Sequence, residues 1–199
     1  MAKENSTLNI ALVGNPNTGK TSLFNQLTGL SQKVGNYPGI TVERKIGKFK
    51  LPNGTIASIS DLPGTYSVNP SSADENIVID TLLERDASQK PDVVLVVADV
   101  LNLKRNLFLL SQVMDLGYRT VLAINMSDQM EKRGITIDPE VIEKNFGCSV
   151  VLVSMKKRTG LEGLKSLLQE SPIRELPFIF DLEKQNNKVY SDLNAIVPE

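Results

Sequence analysis

Apolar residues of this chain fall into short uninterrupted runs and into segments with helical spacing. The uninterrupted runs, which are typical of buried strands, occupy residues 8–13, 91–100, 119–125 and 149–153. Helical spacing marks residues 21–30, 74–85, 104–115, 138–146 and 160–170. Because the two kinds of segment alternate, we predict a mainly parallel sheet with helices on both faces.

Two further strand-like segments lie between the first helix and the second buried run. KIGKFKL at 45–51 and TIASIS at 55–60 alternate in part, and they flank Asn53 and Gly54. An Asn-Gly pair between such segments is a strong signal for a β-hairpin. Residues 29–43 are turn-rich. The predicted fold is therefore α/β, a three-layer αβα arrangement with a mainly parallel six-stranded sheet and one antiparallel edge strand.

The alternation stops after Glu170, where Pro172 and Pro177 lead into a polar tail. We therefore predict one domain over residues 1–171 and a tail over 172–199. With 199 residues and 41% hydrophobic content, the chain can bury one full core. A formal net charge of −1 gives no support to nucleic-acid binding, and no apolar run is long enough to cross a bilayer. We also expect no secretory signal peptide.

Histidine is absent from the sequence, and Cys148 is the single cysteine. These counts exclude Ser-His-Asp and Cys-His catalytic sites, histidine-bound metals and an internal disulfide. Any chemistry must then use carboxylates, lysine, hydroxyls, backbone groups or a bound ion. We expect no iron site in this chain, because no carboxylates cluster at ligand spacing.

The first motif that carries chemistry is GNPNTGKT at residues 14–21, which matches G-x-x-x-x-G-K-[ST]. It stands between an apolar run and a helical segment, as a phosphate-binding loop (P-loop) requires. Its glycines let backbone N–H groups approach phosphates at a helix N-terminus. We expect Lys20 to reach the β- and γ-phosphates of a nucleotide and the Thr21 hydroxyl to bind Mg²⁺. The alternative is a glycine-rich turn without a ligand.

DLPG, residues 61–64, stands at the end of the TIASIS segment, where open α/β sheets bind ligands. There we expect Asp61 to hold Mg²⁺ through water and the Gly64 N–H to bind a γ-phosphate. In isolation the motif is weak, since a Pro-Gly turn after a strand is common. Its place downstream of the P-loop favours the functional interpretation.

Two short motifs after later strands predict recognition of a base. In NMSD, residues 125–128, Asp128 can accept hydrogen bonds from N1–H and the 2-amino group of guanine, groups that adenine does not offer. The usual form is N-K-x-D, and Met126 replaces the lysine, so we expect guanine selectivity with moderate affinity. SMK, residues 154–156, resembles the S-A-K loop that meets the base through backbone groups. Alone, the two motifs are also consistent with a helix N-cap and an ordinary strand-exit loop.

In this order along the chain, the four motifs form the pattern of a GTP-binding G domain. Thr65 follows DLPG, where many GTPases have a glutamine that holds the attacking water. A nucleotide sensor that barely hydrolyses GTP therefore stays open as an alternative. A GTPase of ribosome or tRNA maturation also stays open, although no basic appendage supports it. An ATPase is disfavoured because adenine leaves Asp128 without partners.

The segment between the first two motifs makes the pattern more specific. GNYPGITVE at 35–43, beside DLPGTYS at 61–67, closely resembles the N-terminal G domain of the bacterial ferrous iron transport protein B family, over residues 8–170. In this family the G domain continues into a helical spacer and a polytopic membrane region for Fe²⁺ uptake. The resemblance thus implies that the chain is a piece of a longer protein at the cytoplasmic face of the bacterial membrane. The membrane region of that protein would be its partner.

The resemblance also implies roles for residues that the motifs do not cover. Thr41 would reach Mg²⁺ from switch I, the segment at 39–43 that closes over the nucleotide. The family resembles potassium-activated GTPases, in which Asn17 and backbone carbonyls near Gly35 and Tyr37 would hold K⁺ against the phosphates. Such a cation would neutralise negative charge on the phosphates, as an arginine finger does in other GTPases.

Together the motifs and the resemblance predict one site for GTP or GDP, Mg²⁺ and K⁺. The predicted catalytic residues are Asn17, Lys20, Thr41 and Gly64. The predicted nucleotide-binding residues are Gly14, Asn15, Pro16, Asn17, Thr18, Gly19, Lys20, Thr21, Ser22, Gly39, Ile40, Thr41, Val42, Glu43, Asp61, Leu62, Pro63, Gly64, Asn125, Met126, Ser127, Asp128, Ser154, Met155 and Lys156. The predicted metal ligands are Thr21, Thr41 and Asp61 for Mg²⁺, and Asn17, Gly35 and Tyr37 for K⁺.

Overall fold

The computed structural model of the chain describes residues 7–30, 32–37, 43–68, 73–83 and 90–170. Its strands are β1 (Leu8–Gly14), β2 (Gln32–Asn36), β3 (Glu43–Lys50), β4 (Ile56–Asp61), β5 (Val93–Asp99), β6 (Thr120–Asn125) and β7 (Ser149–Leu152). Its helices are α1 (Lys20–Thr28), α2 (Ala73–Leu82), α3 (Leu103–Asp115), α4 (Met130–Arg133), α5 (Pro139–Phe146) and α6 (Leu161–Glu170). The predicted tail at 172–199 and the predicted switch residues 39–42 lie outside the described residues.

The strands form one sheet in the order β2-β3-β4-β1-β5-β6-β7. Strands β4, β1, β5, β6 and β7 are parallel, and β3 is antiparallel to both of its neighbours. The prediction of a mainly parallel sheet in an αβα arrangement is confirmed. Strand β1 lies at the centre of the sheet and leads into the loop 14–20. Open α/β folds bind ligands at such a position.

The sheet has seven strands instead of the predicted six, and the antiparallel strand β3 is not at the edge. The additional strand β2 lies within the segment that we predicted to be turn-rich, and it forms the edge by pairing with β3. All five residues of β2 are exposed. Because such a strand is held by backbone pairing and buries no side chain, the hydrophobic pattern does not mark it.

Two apolar layers cover the two faces of the sheet. On one face the sheet packs against α2, α3 and α5, through residues such as Val78, Leu107 and Phe146. On the other face it packs against α1 and α6, through residues such as Phe24 and Leu164. Strand β5 is buried along its whole length, which explains its uninterrupted apolar sequence.

Local sequence signals set several boundaries of these elements. At the β3–β4 turn, Gly54 has φ 89°, and the Asn53 side chain accepts a hydrogen bond from the Thr55 N–H at 2.9 Å. At the start of α5, the Asp138 side chain accepts a hydrogen bond from the Glu140 N–H at 2.9 Å, with proline in the first helical turn. Both the hairpin and this helix start are as predicted.

Across the described ranges, no helix combines the length and the apolar character that a bilayer span requires.

Candidate nucleotide site

The loop between β1 and α1 packs closely against the neighbouring strands. A Cβ atom on Gly14 would lie 2.5 Å from the Val97 carbonyl oxygen of β5. Gly19 has φ 92°, and a Cβ atom there would lie 2.2 Å from Nδ2 of Asn125. Only glycine fits these two positions, which explains the spacing of the motif. Asn17 at the outer bend also has a positive φ, of 67°.

Lys20 is folded back onto the loop that it follows. Its ammonium donates hydrogen bonds to the carbonyl oxygens of Gly14, at 2.9 Å, and Asn15, at 3.2 Å. Burial lowers the pKa of Lys20, and the negative charge of Asp61 opposes this shift. The site thus holds a largely desolvated cation beside backbone N–H groups at a helix start, an arrangement that suits a phosphate.

Asp61, at the end of β4, faces the first turn of α1. Its Oδ2 accepts a hydrogen bond from the Thr21 hydroxyl at 3.3 Å, while its Oδ1 is buried and has no hydrogen-bond partner within the described ranges. Burial raises the pKa of Asp61, and nearby Lys20 is the main opposing influence. A buried oxygen that is unpaired beside a hydroxyl fits a Mg²⁺ ion, which takes few protein oxygens and completes its shell with water and phosphate.

Asn125, at the end of β6, joins three loops. Its Nδ2 donates a hydrogen bond to the Thr18 carbonyl of the P-loop at 3.0 Å, and its Oδ1 accepts one from the Met155 N–H at 3.2 Å. Only 4% of the residue is exposed. The motifs at 14–21, 125–128 and 154–156 are therefore physically connected, as their positions at strand ends predict.

The Asp128 carboxylate is held by two side chains. Its Oδ1 accepts a hydrogen bond from the Ser154 hydroxyl at 2.6 Å, and its Oδ2 accepts one from Gln129 at 2.8 Å. The bond from Ser154 is the main reason why the pKa of Asp128 is lowered. The residue is partly exposed.

The two methionines of the base-recognition motifs are placed differently. Met126 has φ 63° and packs, partly buried, beside the α3 side of the core. Met155 is only 8% exposed, and its side chain belongs to the core on the α1 side. Met155 can thus offer only its backbone to a ligand; contact of this loop with a base stays a prediction.

The DLPG segment lies against the P-loop. A Cβ atom on Gly64 would lie 3.1 Å from Pro16, and the Thr65 N–H donates a hydrogen bond to the Gly14 carbonyl at 3.3 Å. The Thr65 side chain is fully buried, and its hydroxyl contacts the Ser67 carbonyl oxygen at 2.6 Å and Oε1 of Glu75 at 3.2 Å. Thr65 therefore connects this loop to α2 instead of facing an open site.

Asn17 lines a cavity of about 250 Å³ on the side of the P-loop that faces α3. The Tyr66 ring also lines it, with the Arg105 guanidinium 3.8 Å from the ring centroid. Gly35 lies in β2 opposite Arg44, and Tyr37 follows that strand; neither lines this cavity. Of the three predicted potassium ligands, Asn17 is thus the one that lines this cavity.

The remaining predicted residues have varied surroundings. Ser22 and Lys156 are exposed, and Leu62 is a core residue with 2% exposure. Glu43 is exposed and forms an ion pair with Lys45 at 2.9 Å. Gly39, Ile40, Thr41 and Val42 lie outside the described residues. Within the described ranges, no three Cys, Asp or Glu side chains group as a metal site would require.

Comparison with known proteins is consistent with this geometry. The family model described as "Ferrous iron transport protein B" matches residues 8–168. The chain belongs to the ferrous iron transport protein B family. It is 46% identical over 162 residues to the Fe(2+) transporter FeoB of Leptospira biflexa serovar Patoc, covering 81% of this chain and 23% of that protein. The chain thus spans about a quarter of the length of the curated relatives that it matches.

Solved structures of the family have the same fold. The cytosolic domain of the T. maritima FeoB iron transporter in its GDP form superimposes with a TM-score of 0.79 and 39% identity, over 90% of this chain and 68% of that one. Its GMPPNP form gives a TM-score of 0.78 and 41% identity, over 85% of this chain and 67% of that one. The described part of the chain is therefore a FeoB-type G domain with a P-loop GTPase fold.

Proposed function

We propose that this chain binds GTP and GDP and hydrolyses GTP to GDP and phosphate, with Mg²⁺ and with stimulation by K⁺. The proposal is carried by one observation, the linkage of three loops through Asn125. This side chain fixes the P-loop, which suits phosphates, beside the loops that hold Asp128. The T. maritima structures named for GDP and GMPPNP support a guanine nucleotide as the ligand.

Different residues of the site would bind the base and the phosphates of the nucleotide. Asp128, oriented by the Ser154 hydroxyl, would accept hydrogen bonds from guanine N1–H and the 2-amino group. Lys20 would exchange its loop carbonyls for phosphate oxygens and so stabilise negative charge there. Gly64, close to Pro16, would offer its N–H to the γ-phosphate.

Mg²⁺ would be held by Thr21, Asp61 and Thr41. K⁺ would be held by Asn17 with the carbonyls of Gly35 and Tyr37. When bound, the two ions neutralise charge on the phosphates. Phosphoryl transfer depends mainly on placement and electrostatics, so the buried Thr65 does not disable hydrolysis. The attacking water would be placed by backbone groups near Gly64.

In the longer protein, we propose that hydrolysis moves the switch segments and that this motion reaches a membrane region that takes up Fe²⁺. The family supports this role, and the relatives extend well beyond the length of this chain. The G domain would then lie at the cytoplasmic face of the bacterial membrane.

The direct test is nucleotide titration followed by turnover in the same buffer. We expect GDP and GMPPNP to bind, ADP to bind far more weakly, and phosphate release from GTP to stop when EDTA removes Mg²⁺. Lys20→Ala should lower the rate about 100-fold or more. Lys144→Ala, an exposed residue on α5, is the matched control and should have no effect. Equal binding of ADP and GDP would contradict the proposal.

The second candidate is a nucleotide sensor with negligible hydrolysis. The observation that favours it is the buried Thr65 hydroxyl, which occupies the position of a water-holding glutamine and faces α2. A single-turnover measurement with excess protein, Mg²⁺ and KCl decides between the candidates. A sensor retains GTP unchanged, whereas a GTPase releases one phosphate per bound nucleotide.

A further inference from the structure

Gln26 lies in α1, outside all four motifs, and contacts the loop that follows β7. Its Nε2 donates a hydrogen bond of 2.7 Å to the carbonyl oxygen of Met155, a residue 129 positions later in the chain. The Gln26 side chain is partly buried, and its Oε1 is buried with no hydrogen-bond partner within the described ranges. The contact to Met155 is thus the hydrogen bond that fixes this amide.

The Met155 residue is held at three points. The Met155 N–H donates a hydrogen bond of 3.2 Å to the Asn125 side chain, and the Met155 carbonyl accepts one from Gln26. The Met155 side chain packs in the apolar core. The adjacent Ser154 donates to Asp128 at 2.6 Å. A shift of the Met155 peptide would therefore displace the loop backbone and the residue that orients the base-binding carboxylate.

We propose that Gln26 is a positioning residue for base recognition, because its bond to the Met155 carbonyl fixes the loop 154–156 against the O6 edge of guanine. The inference rests on the proposed function and deepens it. Guanine O6 is an acceptor, so the protein must offer it a donor. The Ser154 and Met155 N–H groups donate to Thr159 and Asn125, so we assign this part to the Lys156 N–H, which can reach O6 only when the loop has a fixed position. Gln26 itself acts through the loop.

The experiment measures dissociation of fluorescently labelled GDP and IDP from the full chain in Mg²⁺. Gln26→Met keeps the length of the side chain and removes the donor. We expect dissociation of GDP to accelerate about 2- to 12-fold, the range that corresponds to one net hydrogen bond. IDP retains O6 and lacks the 2-amino group, so its dissociation should accelerate by the same factor.

A rescue variant and a matched control separate positioning from general destabilisation. Gln26→Lys retains a donor that can reach the carbonyl, and it should restore slow dissociation. Gln169→Met removes a glutamine that accepts a hydrogen bond from the Asn53 N–H at 2.8 Å, outside the site loops, and it should leave dissociation unchanged. If Gln26→Met does not fold, Gln26→Glu, which has the same size and no donor, replaces it.

Unchanged dissociation in the variants without a donor would overturn the inference, and so would equal acceleration in Gln26→Met and Gln26→Lys. Acceleration of GDP alone would also overturn it, since that result would place the effect at the 2-amino group. A wild-type chain that binds neither GDP nor IDP would instead overturn the proposed function itself. The two failures are therefore distinguishable.

Discussion

Asp128 is the single residue to which the proposed function assigns the choice of base. Its two oxygens are oriented by Ser154, which follows β7, and by the adjacent Gln129. The sequence predicts the residue, because the N-x-x-D pattern follows a buried strand. Its partner Ser154 was predicted only as part of a backbone-binding loop. The hydrogen bond from the Ser154 hydroxyl to the Asp128 carboxylate joins residues 26 positions apart. The two residues belong to different motifs, so the spacing within either motif does not predict the bond.

Asp128→Asn replaces an acceptor oxygen with an amide that can donate. We expect affinity for GDP to fall about 10- to 100-fold, the range for a hydrogen bond with a charged group. Affinity for XDP should rise, because xanthine has a carbonyl where guanine has its 2-amino group. Calorimetric titration with both nucleotides tests this, with Asp138→Asn at the cap of α5 as the control. Equal losses for GDP and XDP would contradict the assignment.

The pH dependence of binding follows from the lowered pKa of Asp128. A carboxyl group with a lowered pKa stays ionised through neutral and mildly acidic pH and becomes protonated only below its ordinary range. The ratio of wild-type to Asp128→Asn affinity for GDP should therefore stay constant from about pH 8 to pH 5. Protonation of the nucleotide phosphate affects both proteins alike and cancels. A ratio that falls steadily with pH would contradict this.

At the scale of elements, the loop after β4 is attached to its surroundings in a way that the sequence did not predict. Thr65 bonds to Glu75 of α2, and the Val68 N–H donates to Gln112 of α3 at 3.1 Å. We considered Thr65 as a possible defect at the water-holding position. Its contact with Glu75, 10 positions away, assigns it instead to the connection between this loop and α2. Gln112, 44 positions from Val68, attaches the same loop to α3.

Thr65→Val retains the shape of the side chain and removes its hydroxyl. We expect the free energy of unfolding to fall by about 1–3 kcal/mol, since the partly buried Ser67 carbonyl and Glu75 carboxylate each lose a hydrogen bond from Thr65. Thr65→Gln should not accelerate GTP hydrolysis, because a fully buried position cannot present an amide to water. Chemical denaturation and phosphate release measure the two effects, with the exposed Thr136→Val as the control. Faster hydrolysis in Thr65→Gln would overturn this account of the loop.

The elements that the sequence predicts correctly are those whose side chains are buried or whose turns need particular residues. The buried strands and the hairpin were predicted because their apolar positions and turn residues leave a local signal. Strand β2 was missed because its five residues are exposed and its position depends on backbone pairing with β3. Likewise, the glycine and lysine spacing predicted the P-loop, whereas the role of Gln26 appears only when α1 and the loop after β7 are seen together.

At the scale of the whole molecule, the domain boundary after residue 171 stays a prediction. Within the described ranges, which end at residue 170, the buried residues of the two apolar layers run from Ile10 to Leu168. We expect a chain truncated after 171 to unfold at the same temperature as the 199-residue chain and to bind GDP equally well. Calorimetry and titration of the two chains compare these properties. A lower unfolding temperature of the shorter chain would show that residues 172–199 complete the core.

The central claim is that this molecule hydrolyses GTP by means of a P-loop cation site instead of a glutamine side chain. The most direct measurement is single-turnover phosphate release with Mg²⁺, in KCl and in NaCl of equal ionic strength. It compares the wild-type chain with Asn17→Ala and with Asn145→Ala, an exposed control on α5. We predict faster release in KCl for the wild type and the control, and equal rates in both salts for Asn17→Ala. Equal wild-type rates in KCl and NaCl would contradict the account.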